Sequence, residues 1–206
     1  MLTKLKNKVQ KWVFIEAKLM HKAGFKPNTM SALGAILGVL SGILYWAVGV
    51  SPAQMHKILL LLALITLLSS GLCDALDGAL ARLYGQTAVL GGFLDSMLDR
   101  YVDAAVICGL ILGGLCDQSW GLLALVGSLL TSYARARSEA ADIPMETVGI
   151  IERVERILIM AIASIINIIR GDLPALRISV IILAIASNFT VAQRVLYFYR
   201  RVSKKT

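Results

Sequence analysis

Asp74, Asp77, Asp95, Asp99 and Asp103 crowd one stretch of the chain at spacings that align their side chains. Asp74 and Asp77 stand i,i+3; Asp95, Asp99 and Asp103 stand i,i+4,i+8. On helices each set lies on one face. The short interval between the sets predicts two antiparallel neighbouring helices whose carboxylate faces meet. Acids held together repel and raise one another's pKa values unless a cation intervenes. A single such Asp is ordinarily a partner in a buried ion pair or a helix–helix hydrogen bond. That explanation is too small for the set, because Arg82 and Arg100 are the only basic residues from Asp74 to Asp103. A divalent cation resolves the conflict. Hard oxygen donors suit Mg²⁺, with Mn²⁺ equally admissible, and a paired site suits a substrate rich in phosphate oxygen. Gly78, one turn after Asp74, lets a bulky ligand approach the backbone. Ala81 keeps that face low, and Arg82 offers a planar donor fork to phosphate.

The elements that carry these acids are strongly apolar. Hydrophobic residues make up 57% of the 206, charged residues 17%, and the mean hydropathy is +0.74. A soluble domain runs near 45–50% apolar and about 25% charged. With three Cys and four Pro, a disulfide-stapled secreted fold and a collagen-like chain are excluded, and a soluble enzyme nearly so. Spans need roughly 20 apolar residues each. Six can be drawn, at about 30–50, 55–80, 92–115, 119–136, 148–169 and 174–199. Ser51-Pro52, Gly113-Gly114 with Asp117, Pro144, and Gly171-Asp172 with Pro174 fall between them. The expectation is an all-α integral membrane protein forming one domain. Residues 1–23, which alternate Lys with Leu, Val, Trp12, Phe14 and Ile15, form an amphipathic surface helix. Residues 27–199 form the six-helix bundle and 200–206 a basic tail.

The net charge of +8 would point to nucleic acid in a soluble chain. Here the basic residues sit before the first apolar run (Lys4, Lys6, Lys8, Lys11, Lys18, Lys22, Lys26) and after the last (Arg200, Arg201, Lys204, Lys205). That is the positive-inside pattern, and it places both termini and the carboxylates on the cytoplasmic side of a cell membrane. No nucleic-acid partner is expected. Cys73, Cys108 and Cys116 lack metal-ligand spacing and read as small buried hydrophobes.

The run Asp74-x2-Asp77-Gly78-x2-Ala81-Arg82-x8-Gly91-x3-Asp95-x3-Asp99 resembles the signature of the CDP-alcohol phosphotransferases. The resemblance implies a six-helix membrane enzyme with an N-terminal surface helix, typically a homodimer. Such enzymes displace CMP from a CDP-linked lipid by attack of an acceptor hydroxyl on the β-phosphorus. It implies that Asp74, Asp77, Asp95 and Asp99 bind two Mg²⁺ ions, with Asp99 also the general base. It further implies that the cytidine diphosphate is held by Gly78, Arg82, the turn Lys26-Pro27-Asn28-Thr29, and the position three before the second glycine, here Ala88. An alanine there departs from a side-chain hydrogen bond.

Arg135 and Arg137, Arg153 and Arg156, and Arg194 map to the same side as the acids. Singly, each reads as a snorkelling residue or a partner of Glu139, Glu152 or Glu155, with Glu152-Arg153 and Glu155-Arg156 as balanced pairs. Together they suit a phosphate, because guanidinium forks match its oxygens. The runs Ser132-Tyr133-Ala-Arg135-Ala-Arg137-Ser-Glu139 and Gly149-Ile-Ile-Glu152-Arg153-Val-Glu155-Arg156 are similar to the phosphatidylinositol-phosphate synthase branch and its archaeal archaetidylinositol relatives. That likeness implies inositol phosphate as acceptor, bound by Arg135, Arg153, Arg156 and Arg194, and CDP-diacylglycerol or CDP-archaeol as donor among membrane lipids. Nothing in the sequence selects ester or ether tails. A glycerol phosphate acceptor is the alternative within the family. A cation transporter would more naturally set its acids near the bilayer midplane, and an isoprenoid-transfer enzyme would lack Gly78-x-x-Ala81-Arg82.

Overall fold

The computed structural model describes residues 13–85, 89–145, 148–171 and 173–203. Among these, seven helices and no strand are present. They are α1 (13–22), α2 (Pro27–Val50), α3 (Ala53–Leu83), α4 (Val89–Leu112), α5 (Gln118–Glu139), α6 (Arg153–Arg170) and α7 (Pro174–Val202). The boundaries follow local chemistry. Pro27 and Pro174 open α2 and α7, where a missing N–H costs nothing. Asp117 caps α5 by accepting from the Ser119 N–H at 3.0 Å. Gly171 closes α6 in the left-handed region at φ 79°.

Three helices, α2, α3 and α7, are long and apolar enough to cross a membrane on length and composition. The sequence reading draws six spans. Of the remaining drawn spans, α4 carries Asp95, Asp99 and Asp103, α6 carries Arg153 and Arg156, and α5 ends on Arg135, Arg137 and Glu139. The fifth drawn span, at 148–169, is corrected at its start. Gly149 has φ 132° and Glu152 is extended, so α6 begins only at Arg153. Large apolar side chains such as Ile36, Ile43, Ile58 and Ile65 point outward, as in a bundle solvated by lipid.

The core centres on Tyr45, Leu60, Leu110, Leu176 and Val180. Helix α2 packs extensively on both α3 and α4, and α5 packs on α7. A Cβ on Gly109 would collide with the Gly42 carbonyl, so α2 and α4 approach backbone to backbone. Polar ties cross the bundle: the Tyr45 and Ser164 hydroxyls lie 2.7 Å apart, and the Asn188 amide donates to the Leu123 carbonyl at 3.0 Å. Helix α1 rests on a second cluster. Its Ala17 is fully buried beside Met30, Leu76 and Leu80, while Ile15 and Leu19 are exposed. Residues 1–12 and 204–206, and with them much of the expected surface helix and tail, lie outside the described residues.

Candidate active site

The two acid-bearing helices do not pack face to face as their short connection suggests. Helix α2 contacts both, and α3 and α4 make little direct contact with each other among the described residues. The reason lies in side-chain size. Glycines let α2 seat closely against its neighbours, while the gap between the acid faces receives Arg153 from α6.

Across that gap the carboxylates still converge. Asp74, Asp95 and Asp99 each present one oxygen, and the three lie within 4.8 Å of one another. Asp77 stands apart from this trio. It is buried, and among the described residues its Oδ2 has no hydrogen-bond partner. A buried, unpartnered carboxylate oxygen beside three converging ones costs free energy unless a cation meets it. The donors are all hard oxygens, so the residues present fit a divalent cation of the Mg²⁺ or Mn²⁺ type.

Two cavities flank the acids. The first, of about 220 Å³, is lined by Pro27, Asn28 and Ser31 of α2, by Asp77, Gly78, Ala81 and Arg82 of α3, and by Gly91, Gly92 and Asp95 of α4. A Cβ on Gly78 would meet the Arg82 guanidinium at 3.4 Å, so the glycine leaves Arg82 room to lie along the helix. The expected residues Pro27, Asn28, Gly78 and Arg82 thus share one cavity. Lys26 and Thr29 flank it without lining it, and Ala88 lies outside the described residues. Ser31 was not anticipated; its signal was its place one turn after Pro27, whose carbonyl it bonds at 3.1 Å.

The second cavity, of about 150 Å³, is lined by all four expected arginines: Arg135, Arg153, Arg156 and Arg194. Arg100, Asp99, Asp103 and Glu152 join them, with Thr131 and Ser132. A narrow gap shares Asp77 and Asp95 with the first cavity, and Asp99 and Arg153 with the second. The carboxylate trio therefore sits between the two.

The arginines are held in different ways. Arg135 pairs with Glu139 at 2.8 Å on an exposed helix face, as the bland reading expects. Arg194 is buried, donating to the Val148 carbonyl at 2.8 Å and the Thr131 carbonyl at 2.5 Å. The balanced pairs expected within Glu152-Arg153 and Glu155-Arg156 are not the ones formed. Glu155 instead reaches back to the Glu152 N–H at 2.9 Å and caps α6. That frees the arginines for acids on other helices. Arg156 meets Asp103 at 2.6 Å, and Arg153 meets Asp74 at 2.8 Å and Asp99 at 2.6 Å. The sequence assigns both arginines to an acceptor phosphate; their pairing with the acids was not legible in it, because they arrive from a distant helix.

An all-helical bundle with acids set between a glycine–arginine cavity and an arginine-rich one is an arrangement suited to transfer of a phosphoryl group. The comparisons agree. The CDP-alcohol phosphatidyltransferase family model matches residues 25–193, and the chain belongs to that family. An archaetidylinositol phosphate synthase of Pyrococcus horikoshii is 37% identical over 195 residues, covering 95% of each chain. One of Methanothermobacter thermautotrophicus is 41% identical over 136 residues, 66% of this chain and 69% of the relative. The phosphatidylinositol phosphate synthase of Mycobacterium tuberculosis, solved with manganese and citrate, superposes with a TM-score of 0.75 at 28% identity. That match covers 91% of this chain and 88% of the other. Its structure with CDP-DAG bound gives the same score and identity, covering 91% and 93%.

Proposed function

We propose that the protein transfers a phosphatidyl or archaetidyl group from a CDP-linked lipid to a hydroxyl of inositol phosphate, releasing CMP. The observation that carries this reading is the position of the Asp74, Asp95 and Asp99 oxygens between two cavities, each suited to one phosphorylated substrate. The first would take the cytidine diphosphate, with Arg82 donating to phosphate oxygens above Gly78 and with the α2 turn at Pro27 and Asn28 closing one side. The second would take the acceptor phosphate on Arg135, Arg153, Arg156 and Arg194. Relatives named for inositol phosphate products, at up to 37% identity along nearly the whole chain, support that choice of acceptor.

Two bound Mg²⁺ ions, held by Asp74, Asp77, Asp95 and Asp99, would withdraw charge from the diphosphate and from the departing CMP. The chain's own groups do the rest. The arginines hold the acceptor by its phosphate, so that a ring hydroxyl faces the trio. Asp99, which borders the second cavity, accepts the hydroxyl proton. The hydroxyl oxygen bonds the β-phosphorus, and the bond from that phosphorus to the CMP oxygen breaks. The apolar outer surface leaves the lipid tails in the bilayer.

In this reading the chain is one domain of six spans, with α1 on the membrane surface. The excess of Lys and Arg at both ends supports cytoplasmic termini and a cytoplasmic active site in the cell membrane. A homodimer is part of the same proposal. The test is CMP release by purified protein in detergent. CDP-diacylglycerol or CDP-archaeol is offered with inositol phosphate, glycerol phosphate, inositol or serine, with Mg²⁺ and then with chelator. Metal-dependent release with inositol phosphate alone is expected. Release with glycerol phosphate instead keeps the metal chemistry and rejects the acceptor assignment.

A further inference from the structure

Arg153 stands between the two halves of the site. On one side its Nη1 lies 2.8 Å from Asp74 Oδ1 and 2.6 Å from Asp99 Oδ1. Both carboxylates belong to the group suited to a divalent cation. On the other side its Nε lies 3.9 Å from Asp103 Oδ1, while Asp103 Oδ2 accepts from Arg156 Nη2 at 2.6 Å. Asp103 is not a member of the cation group. The Arg153 and Asp103 side chains are only 14% and 11% exposed. Among the described residues the buried Nε and Nη1 of Arg153 have no partner in hydrogen-bond geometry, so charge rather than direction holds the guanidinium where it is.

The Arg153 guanidinium and a divalent cation would compete for the negative charge of the Asp74 and Asp99 carboxylates. Two positive charges a few ångströms apart in a weakly screened interior repel strongly. A cation entering the trio is therefore opposed by Arg153, and a buried guanidinium that gives up its counter-charge needs another acid. Asp103 is already beside it, one turn along α4 from Asp99 and facing the arginine-lined cavity. We propose that Asp103 is a positioning residue: it takes Arg153 over from Asp74 and Asp99 when a divalent cation enters. It thereby holds Arg153 and Arg156 together in the anion cavity. Filling the cation site and setting the anion pocket are then one exchange of partners. The inference rests on the cation reading of the carboxylate trio.

The test measures Mn²⁺ alone, binding to the full-length protein in detergent without lipid donor or acceptor, read from the free-ion paramagnetic resonance signal. Four proteins form a cycle: wild type, Asp103→Asn, Arg153→Gln and the double variant. Arg153→Gln removes the resident competitor and tightens Mn²⁺ binding about tenfold. Asp103→Asn leaves Arg153 no second anchor and weakens binding severalfold. In the Arg153→Gln background, Asp103→Asn changes affinity less than about twofold, because there is no guanidinium left to hand over. Equal effects of Asp103→Asn in both backgrounds mean simple charge addition and overturn the inference, as does failure of Arg153→Gln to tighten binding. If Arg153→Gln does not stay folded, Arg153→Lys closes the same cycle with smaller steps in the same directions. Absence of Mn²⁺ binding by wild-type protein overturns the cation reading and this inference together. Additive effects with measurable wild-type binding overturn this inference alone.

Discussion

Arg194 of α7 donates to the Thr131 carbonyl of α5 at 2.5 Å, and its Nε holds the Val148 carbonyl at 2.8 Å. One side chain of the arginine-lined cavity thus pins both the α5–α7 packing and the chain leading into α6. Thr190, one turn earlier on α7, accepts from the Ile151 N–H at 3.3 Å and adds a second tie. The position of Arg153 depends on these anchors, because α6 starts immediately after the pinned segment.

Arg194→Ala is therefore expected to cost stability as well as activity. The buried Thr131 carbonyl loses its donor at about 1–3 kcal/mol, and the partly buried Val148 carbonyl loses its donor at a smaller cost. At about 2–4 °C per kcal/mol for a chain of this size, melting in detergent drops by several degrees. Arg194→Lys keeps the charge with fewer donors and gives a smaller drop. An unchanged melting temperature in Arg194→Ala argues against the anchoring role.

Asp95→Asn and Asp99→Asn each remove an oxygen charge from the converging trio. Loss of outer-shell partners alone costs metal sites 10–100-fold, so under the proposed function each substitution is expected to lower Mg²⁺-dependent CMP release by at least about 100-fold. Chelator abolishes wild-type release and added Mg²⁺ restores it. Release that survives chelation removes the cation from the mechanism.

Gly109→Ala touches no site residue, yet its Cβ would overlap the Gly42 backbone of α2. The helices carrying Asn28 and Asp99 must then separate. Overpacking of this kind costs about 1–3 kcal/mol, visible as a lower melting temperature together with reduced turnover. Wild-type stability and turnover in this variant would contradict the close α2–α4 approach.

Cys116 lies in the turn between α4 and α5 and is buried. Burial pushes its thiol pKa up, and the neighbouring Asp117 charge adds to the effect, against a smaller opposing pull from Arg177. A raised thiol pKa means less thiolate at any pH near neutral. Maleimide labelling of Cys116, followed by peptide mass, is expected to be slow in folded protein and to become fast on unfolding. Rapid labelling of the native protein contradicts the burial.

The sequence by itself determined which residues could do chemistry. Asp74, Asp77, Asp95 and Asp99, with Gly78 and Arg82, repeat at helical spacing, and that periodicity is local. Arg153 and Arg156 were legible in the same way, as an i,i+3 pair. The apolar runs announced an all-helical chain, with Pro27 and Pro174 marking helix starts. Tertiary structure alone decided the partners. It placed Arg153 between Asp74 and Asp99 rather than beside Glu152, gave Asp103 to Arg156, and spent Glu155 on the cap of α6. It also set α2 against both α3 and α4, where the short connection had suggested that the two would pack on each other. Helical spacing fixes a face within one helix. Which faces meet depends on close approach at small residues such as Gly42 and Gly109, a long-range fit that no local pattern encodes.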